Sequence, residues 1–217
     1  MYADLAPEWI GLIITPLAVV GAIVLLGTNR SIPNVAAFAG GFALAYSIMS
    51  VIVLWIGSIA TGANPESDTR YVVSVVIGLL FLAGGAAEFI RPHPDQDDGP
   101  PRWSVALQTA TPSKAFAGGT ALSLVNPNVA ILLSGLTIII TSEVTMGTQI
   151  VGALTLVLAS LIPFAIPVSI YLLMGDRGKT LLQKTFAWML EHQHVLSGGT
   201  LLFFGAIFLG RGLGGLM

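Results

Sequence analysis

Two prolines, Pro16 and Pro127, each interrupt a long uncharged apolar run, and that combination leaves the chain few folds. Proline lacks a backbone donor and clashes with the carbonyl four residues earlier. The motifs Thr15-Pro16 and Asn126-Pro127-Asn128 therefore free polar backbone that lipid cannot satisfy. Such breaks survive at membrane depth only inside protein or beside a watery cavity. Interrupted hydrophobic segments at corresponding points of two halves mark a midplane binding site in transporters.

Hydrophobic residues make up 54% of the chain and charged ones 9%, against roughly a quarter charged in soluble domains. Apolar runs with few or no charges, long enough to cross about 30 Å at 1.5 Å per residue, predict six spans, near 9–28, 35–60, 71–91, 115–141, 148–174 and 195–213. The fourth and fifth are long enough to tilt or break. The remaining loops are too short for a soluble domain, so residues 1–217 read as one all-α integral membrane domain. Asp4 and Glu8 replace the basic leader of a secretory signal, and the first run is read as a retained helix. Cysteine is absent, which removes disulfides and thiolate chemistry. The slightly negative net charge gives no basis for nucleic-acid binding.

Six spans place the termini on one face with only Arg70 and Arg211, while the other face carries Arg30, Arg91, Arg102, Lys114, Arg177, Lys179 and Lys184. The positive-inside rule makes the second face cytoplasmic and puts both termini outside. Between residues 92 and 114, Pro92, Pro94, Asp95, Asp97, Asp98, Pro100, Pro101 and Pro112 suit a solvated linker. This cytoplasmic linker separates a three-helix repeat at 1–91 from another at 115–217. Three is odd, so the halves are expected in opposite orientations, as two inverted three-helix repeats with helix breaks in spans 1 and 4. A shift of 111 residues (127 − 16) superposes the prolines and sets Gly41 on Gly152, a weak self-similarity.

Segment 176–194 is polar, yet Leu181, Leu182, Phe186, Met189 and Leu190 fall at helical spacing. It reads either as an interfacial helix whose Lys179 and Lys184 meet anionic headgroups, or as a loop helix packed on its own protein.

Asn126 and Asn128 are costly in an apolar run unless hydrogen-bonded. They either line a substrate pathway or cap the backbone that Pro127 frees. Thr15 and Pro16 admit the same two readings, a site or a plain kink. Glu88 stands one turn before Arg91, consistent with a local pair, and a second reading makes it a proton relay. No other carboxylate is expected deep in a span, which argues against divalent-cation export. Gly175-Asp-Arg-Gly178-Lys179-Thr180 lacks the earlier glycine of a phosphate loop, having Leu173 there. His192 and His194 point to different helix faces and make no metal pair. No nucleophile, base and orienting acid gather in the apolar runs, so neither an enzyme nor a bound cofactor is expected. Glycine clusters such as Gly84-Gly85 and Gly118-Gly119 suit close helix packing or a homo-oligomer face.

With these residues in view, the chain resembles the mycobacterial lipid-addressing proteins, the GAP or Sap family named for glycopeptidolipid and sulfolipid addressing, within the lysine-exporter (LysE) superfamily. The similarity runs from Pro16–Arg30 and Ala37–Phe42, through Thr111–Phe116 and Ala121–Asn128 with Ser123, to Trp188, Leu190, His192, Gly205 and Gly210–Leu213. A lysine usual in that family after the Asn-Pro pair is replaced here by Asn128. The resemblance implies a six-helix exporter fold in an actinobacterial cytoplasmic membrane, moving cell-envelope lipids or related amphiphiles outward. It also leaves open an accessory subunit of a lipid-export machine, or an amino-acid or small-solute exporter.

Overall fold

A computed structural model describes residues 1–60, 69–90, 102–142 and 144–216. Among them the chain is helical throughout, without strands. After a short turn at Ala3–Leu5 the helices are α1 (Ala6–Ile13), α2 (Pro16–Leu26), α3 (Ser31–Ala60), α4 (Thr69–Ile90), α5 (Arg102–Gln108), α6 (Pro112–Val125), α7 (Asn128–Ile140), α8 (Met146–Glu191) and α9 (Gln193–Leu216). Three of these are long and apolar enough to cross a bilayer, or five elements if α1 with α2 and α6 with α7 each count as one bent span. Exposed apolar residues such as Val51, Trp55, Leu80, Leu158 and Leu173 cover the outside, a surface that suits hydrocarbon better than water.

Local chemistry sets the helix ends. Thr111 and Thr145 cap α6 and α8, their hydroxyls accepting from the amides of Lys114 and Thr148 at 3.4 Å. Proline occupies the first turn of α1, α2 and α6, where its missing N–H costs nothing. The residue before each interrupting proline is non-helical, Thr15 at φ −122°, ψ 88° and Asn126, extended, at φ −76°, ψ 133°. Proline's ring disfavours a helical conformation there. The axis bends by 41° between α1 and α2 and by 69° between α6 and α7.

Helix α8 has 46 residues, which if straight would reach about 69 Å, twice a hydrocarbon core. It turns at Gly175, whose φ of 55° glycine alone adopts without strain. The polar part beyond it buries Leu182 and Met189 while Leu181 and Trp188 stay exposed, so its apolar side is turned in part onto its own protein.

Small residues let backbones meet, the usual basis of helix association in lipid. A Cβ at Gly119 of α6 would fall on the Phe38 carbonyl of α3, and one at Gly41 of α3 on the Phe116 carbonyl of α6. Along α4 and α9, Gly78 faces the Leu209 amide and Gly205 faces Leu82. Phe38 and Phe42 of α3 meet Phe164 of α8, with Phe42 and Phe164 centroids 5.1 Å apart, and Tyr46 packs edge-on against Phe42.

The expected linker differs from the structure. Pro92 to Pro101, with Arg91, lies outside the described residues, but 102–108 is helical and buries Ser104 and Leu107, one turn apart on one face. Its acidic and proline-rich residues mask that short apolar pattern in the sequence.

Candidate functional site at the junction of two broken helices

Pro16 has no N–H for the carbonyl of Leu12, four residues earlier, and the Thr15 hydroxyl supplies that bond instead at 2.7 Å. The Thr15 amide turns to the Ile13 carbonyl at 3.1 Å, which frees the carbonyl of Gly11. Asn128 fills that gap: its Nδ2 donates to the Gly11 carbonyl at 3.2 Å and to the Thr15 hydroxyl. The break in the first helix pair is thus completed by an amide from the second.

Asn126 does a different task. Its Oδ1 accepts from the Asn128 amide at 3.0 Å, closing the start of α7 across Pro127. That bond fixes which end of the amide is oxygen and leaves Nδ2 pointing elsewhere. Asn126 is buried, and among the described residues its Nδ2 has no hydrogen-bond partner. Of the two asparagines, Asn128 is committed to the backbone and Asn126 keeps a free donor.

The structure brings some of the other expected site residues to this pair and leaves others apart. Thr15, Pro16, Asn126, Pro127 and Asn128 are brought together, Thr15, Asn126 and Asn128 all being buried. Ser123 is buried one turn before Asn126, but its hydroxyl returns to the Thr120 carbonyl of its own helix at 2.7 Å. Glu88 is half-buried near the end of α4 and, among the described residues, shares no hydrogen bond with the junction.

Another carboxylate was hidden from the sequence. The first span was expected to start at residue 9, leaving Glu8 at its edge, whereas the helical structure begins at Ala3 and shields Glu8 completely. Glu8 Oε1 accepts from Arg211 Nη1 of α9 at 2.7 Å and from the Ser134 hydroxyl of α7 at 3.2 Å. Arg211 Nη2 also reaches the Asp4 carbonyl at 2.9 Å. Among the described residues Glu8 Oε2 has no partner. Hydropathy alone could not find this pair, because its members are 203 positions apart.

At the other end of α2 lies a cleft of about 290 Å³. Ile23, Leu26 and Leu182 give it an apolar floor, and Thr28, Ser31, Tyr171, Lys179 and Gln183 a polar rim. The Tyr171 hydroxyl lies 3.4 Å from that of Ser31, and Lys179 pairs with Asp176 at 3.0 Å. Ten residues of helix separate Pro16 from Leu26, about 15 Å of rise. The first helix pair therefore carries in sequence a buried ion pair, a polar junction and an amphipathic cleft.

These features define an all-helical membrane protein with a polar junction built from two interrupted helices. The chain belongs to the Sap, sulfolipid-1-addressing protein, family, whose model matches residues 10–214. No curated protein and no solved structure matches the chain.

Proposed function

We propose that this protein exports cell-envelope lipids or related small amphiphiles across a bacterial cytoplasmic membrane, and that the junction of α1, α2, α6 and α7 is its substrate site. The observation that carries this reading is the Asn126 Nδ2, unpartnered among the described residues and held beside a junction where the carbonyls of Gly11 and Leu12, freed at Pro16, are paired. A buried donor in an apolar setting is expensive unless something accepts from it. The hydroxyl, ester or acidic oxygens of a lipid headgroup are such acceptors. The amphipathic cleft at the end of α2 offers a cytoplasmic mouth where a headgroup and the first carbons of a tail find matching walls.

The reading includes six spans, with α4 as the third, arranged as two inverted repeats. Packing supports it: α4 lies along α9, and the contact of α3 with α6 is matched by that of α8 with α1. Exchange of the halves carries each of these pairs into the other or into itself, as a two-fold axis in the membrane plane requires. Both termini lie outside in this reading, which the seven basic residues assigned to one face support. The LysE-like architecture is part of this proposal.

The test is reconstitution of the purified chain alone in liposomes, following a headgroup-labelled fluorescent glycolipid between leaflets. Protein-dependent movement supports export. No movement without other proteins, with restoration by envelope extracts, would contradict autonomous transport and make the chain an accessory subunit of export machinery.

A further inference from the structure

We propose that Glu8 is a proton-binding site, and that a proton arriving there releases Arg211 and loosens the contact of α1 with α7; the coupling to export rests on the transport reading above. The site stands on geometry. Glu8 is fully shielded, yet only one of its oxygens is engaged, by Arg211 and Ser134, while Oε2 is left without a partner. A purely structural arginine pair gains most when both oxygens are bonded in a fork. Here the second oxygen is free to hold a proton.

Its surroundings make protonation consequential. From α9 the group facing Glu8 is Arg211, and from α7 it is the uncharged Ser134 hydroxyl. On its own side, the Asp4 carboxylate is occupied by the amino group of Met1 at 3.0 Å and offers Arg211 only its backbone carbonyl. From α8 the neighbours of α1 are uncharged, Thr155 against Trp9 and Leu156 against Gly135 beside the Glu8 side chain. Among the described residues Arg211 is therefore the single charge balancing Glu8. Its side chain is 24% exposed where that of Glu8 is 0%, so the guanidinium can withdraw toward the surface while Glu8 stays in place.

The step balances simply. A proton from water converts the carboxylate to a neutral acid, with the new O–H on Oε2; Arg211 keeps its charge, leaves Oε1 and retains the Asp4 carbonyl or takes water. Glu8 stands one turn before Gly11 on α1, and Ser134 follows Asn128 by six residues on α7. Glu8–Ser134 and Gly11–Asn128 are thus two links between the same pair of helices. Weakening the first biases the second, and so the setting of the neighbouring Asn126.

Two measurements on the full chain test this. Infrared difference spectra recorded as purified protein is stepped from alkaline to acid pH are expected to contain a carboxylic-acid C=O band that Glu8→Gln removes and Glu8→Asp retains at a shifted position. In liposomes, an imposed proton gradient is expected to speed wild-type glycolipid movement about fivefold or more, whereas Glu8→Gln moves it at one rate with or without the gradient. The proton site is overturned if no Glu8-dependent band forms at any pH at which the protein stays folded. The coupling is overturned if wild-type movement ignores the gradient. A band present with no lipid movement under any condition would overturn the transport reading and keep the proton site.

Discussion

Asn128 and Thr15 lie 113 positions apart and share a hydrogen bond through which the residue after one helix break repairs the other. Thr15 passes the repair on, its hydroxyl accepting from Asn128 and donating to the carbonyl that Pro16 leaves unbonded. The two halves of the chain are therefore not independently satisfied. The break at Pro16 depends on the opposite half for its polar backbone, whereas the one at Pro127 is closed by its own Asn126.

Replacing Asn128 with leucine is expected to destabilise the fold, because the Gly11 carbonyl loses its donor with nothing to replace it. An unsatisfied buried group costs about 1–3 kcal/mol, more than the roughly 0.6 kcal/mol average of interhelical hydrogen bonds in membranes. A lowered thermal midpoint in detergent is the expected result. Thr15→Val should not add fully to it, since both substitutions remove the same bond.

Close packing of α3 on α6 gives a second prediction. Gly119→Val and Gly41→Val should each cost about 1–3 kcal/mol or more, because the nearest atoms are backbone carbonyls that cannot swing away. Gly210→Ala, with nothing within 4 Å of the added carbon, should be nearly neutral. Yield of monodisperse protein and thermal midpoints read the contrast.

The Glu8–Arg211 pair predicts an asymmetry. Arg211→Leu leaves a shielded carboxylate without its counter-charge, and breaking such a pair typically costs about 3–5 kcal/mol. Combining it with Glu8→Leu removes the stranded charge, so the double variant should be more stable than Arg211→Leu alone. A double-mutant cycle on thermal midpoints measures this.

The interruptions at Pro16 and Pro127 were legible in the sequence because a missing N–H is a local fact that needs no tertiary partner. So were the apolar helices and the helical spacing of Leu182 and Met189. The division of labour between Asn126 and Asn128 was not, since it is decided by Gly11, a residue whose freed carbonyl has no side-chain signature. Glu8 escaped for a related reason: a hydropathy window ends at a charge, and its distant cation reads alone as an ordinary terminal arginine. Within the segment read as a linker, α5 was obscured by its acidic and proline-rich neighbours.

Orientation is open to a clean chemical test because the chain contains no cysteine. With both termini outside, a membrane-impermeant thiol reagent applied to intact cells should label a cysteine at Asn64 and not one at Asp97. The reverse pattern, with access through the outer envelope controlled, would invert the topology.

The most direct test of the account is export by an Asn126→Leu variant. Leucine keeps approximate volume and suits an apolar setting, while removing the one junction amide without an acceptor. It also takes away the Oδ1 that accepts from the Asn128 amide, so membrane abundance and thermal midpoint are matched to wild type before activity is compared. The measurement is surface lipid, or efflux of a labelled amphiphile, in a deletion strain complemented with either form. The account predicts a folded, inserted protein with strongly reduced export. Full export by Asn126→Leu would remove this residue from the substrate site, and a deletion that leaves every envelope lipid in place would contradict the exporter assignment itself.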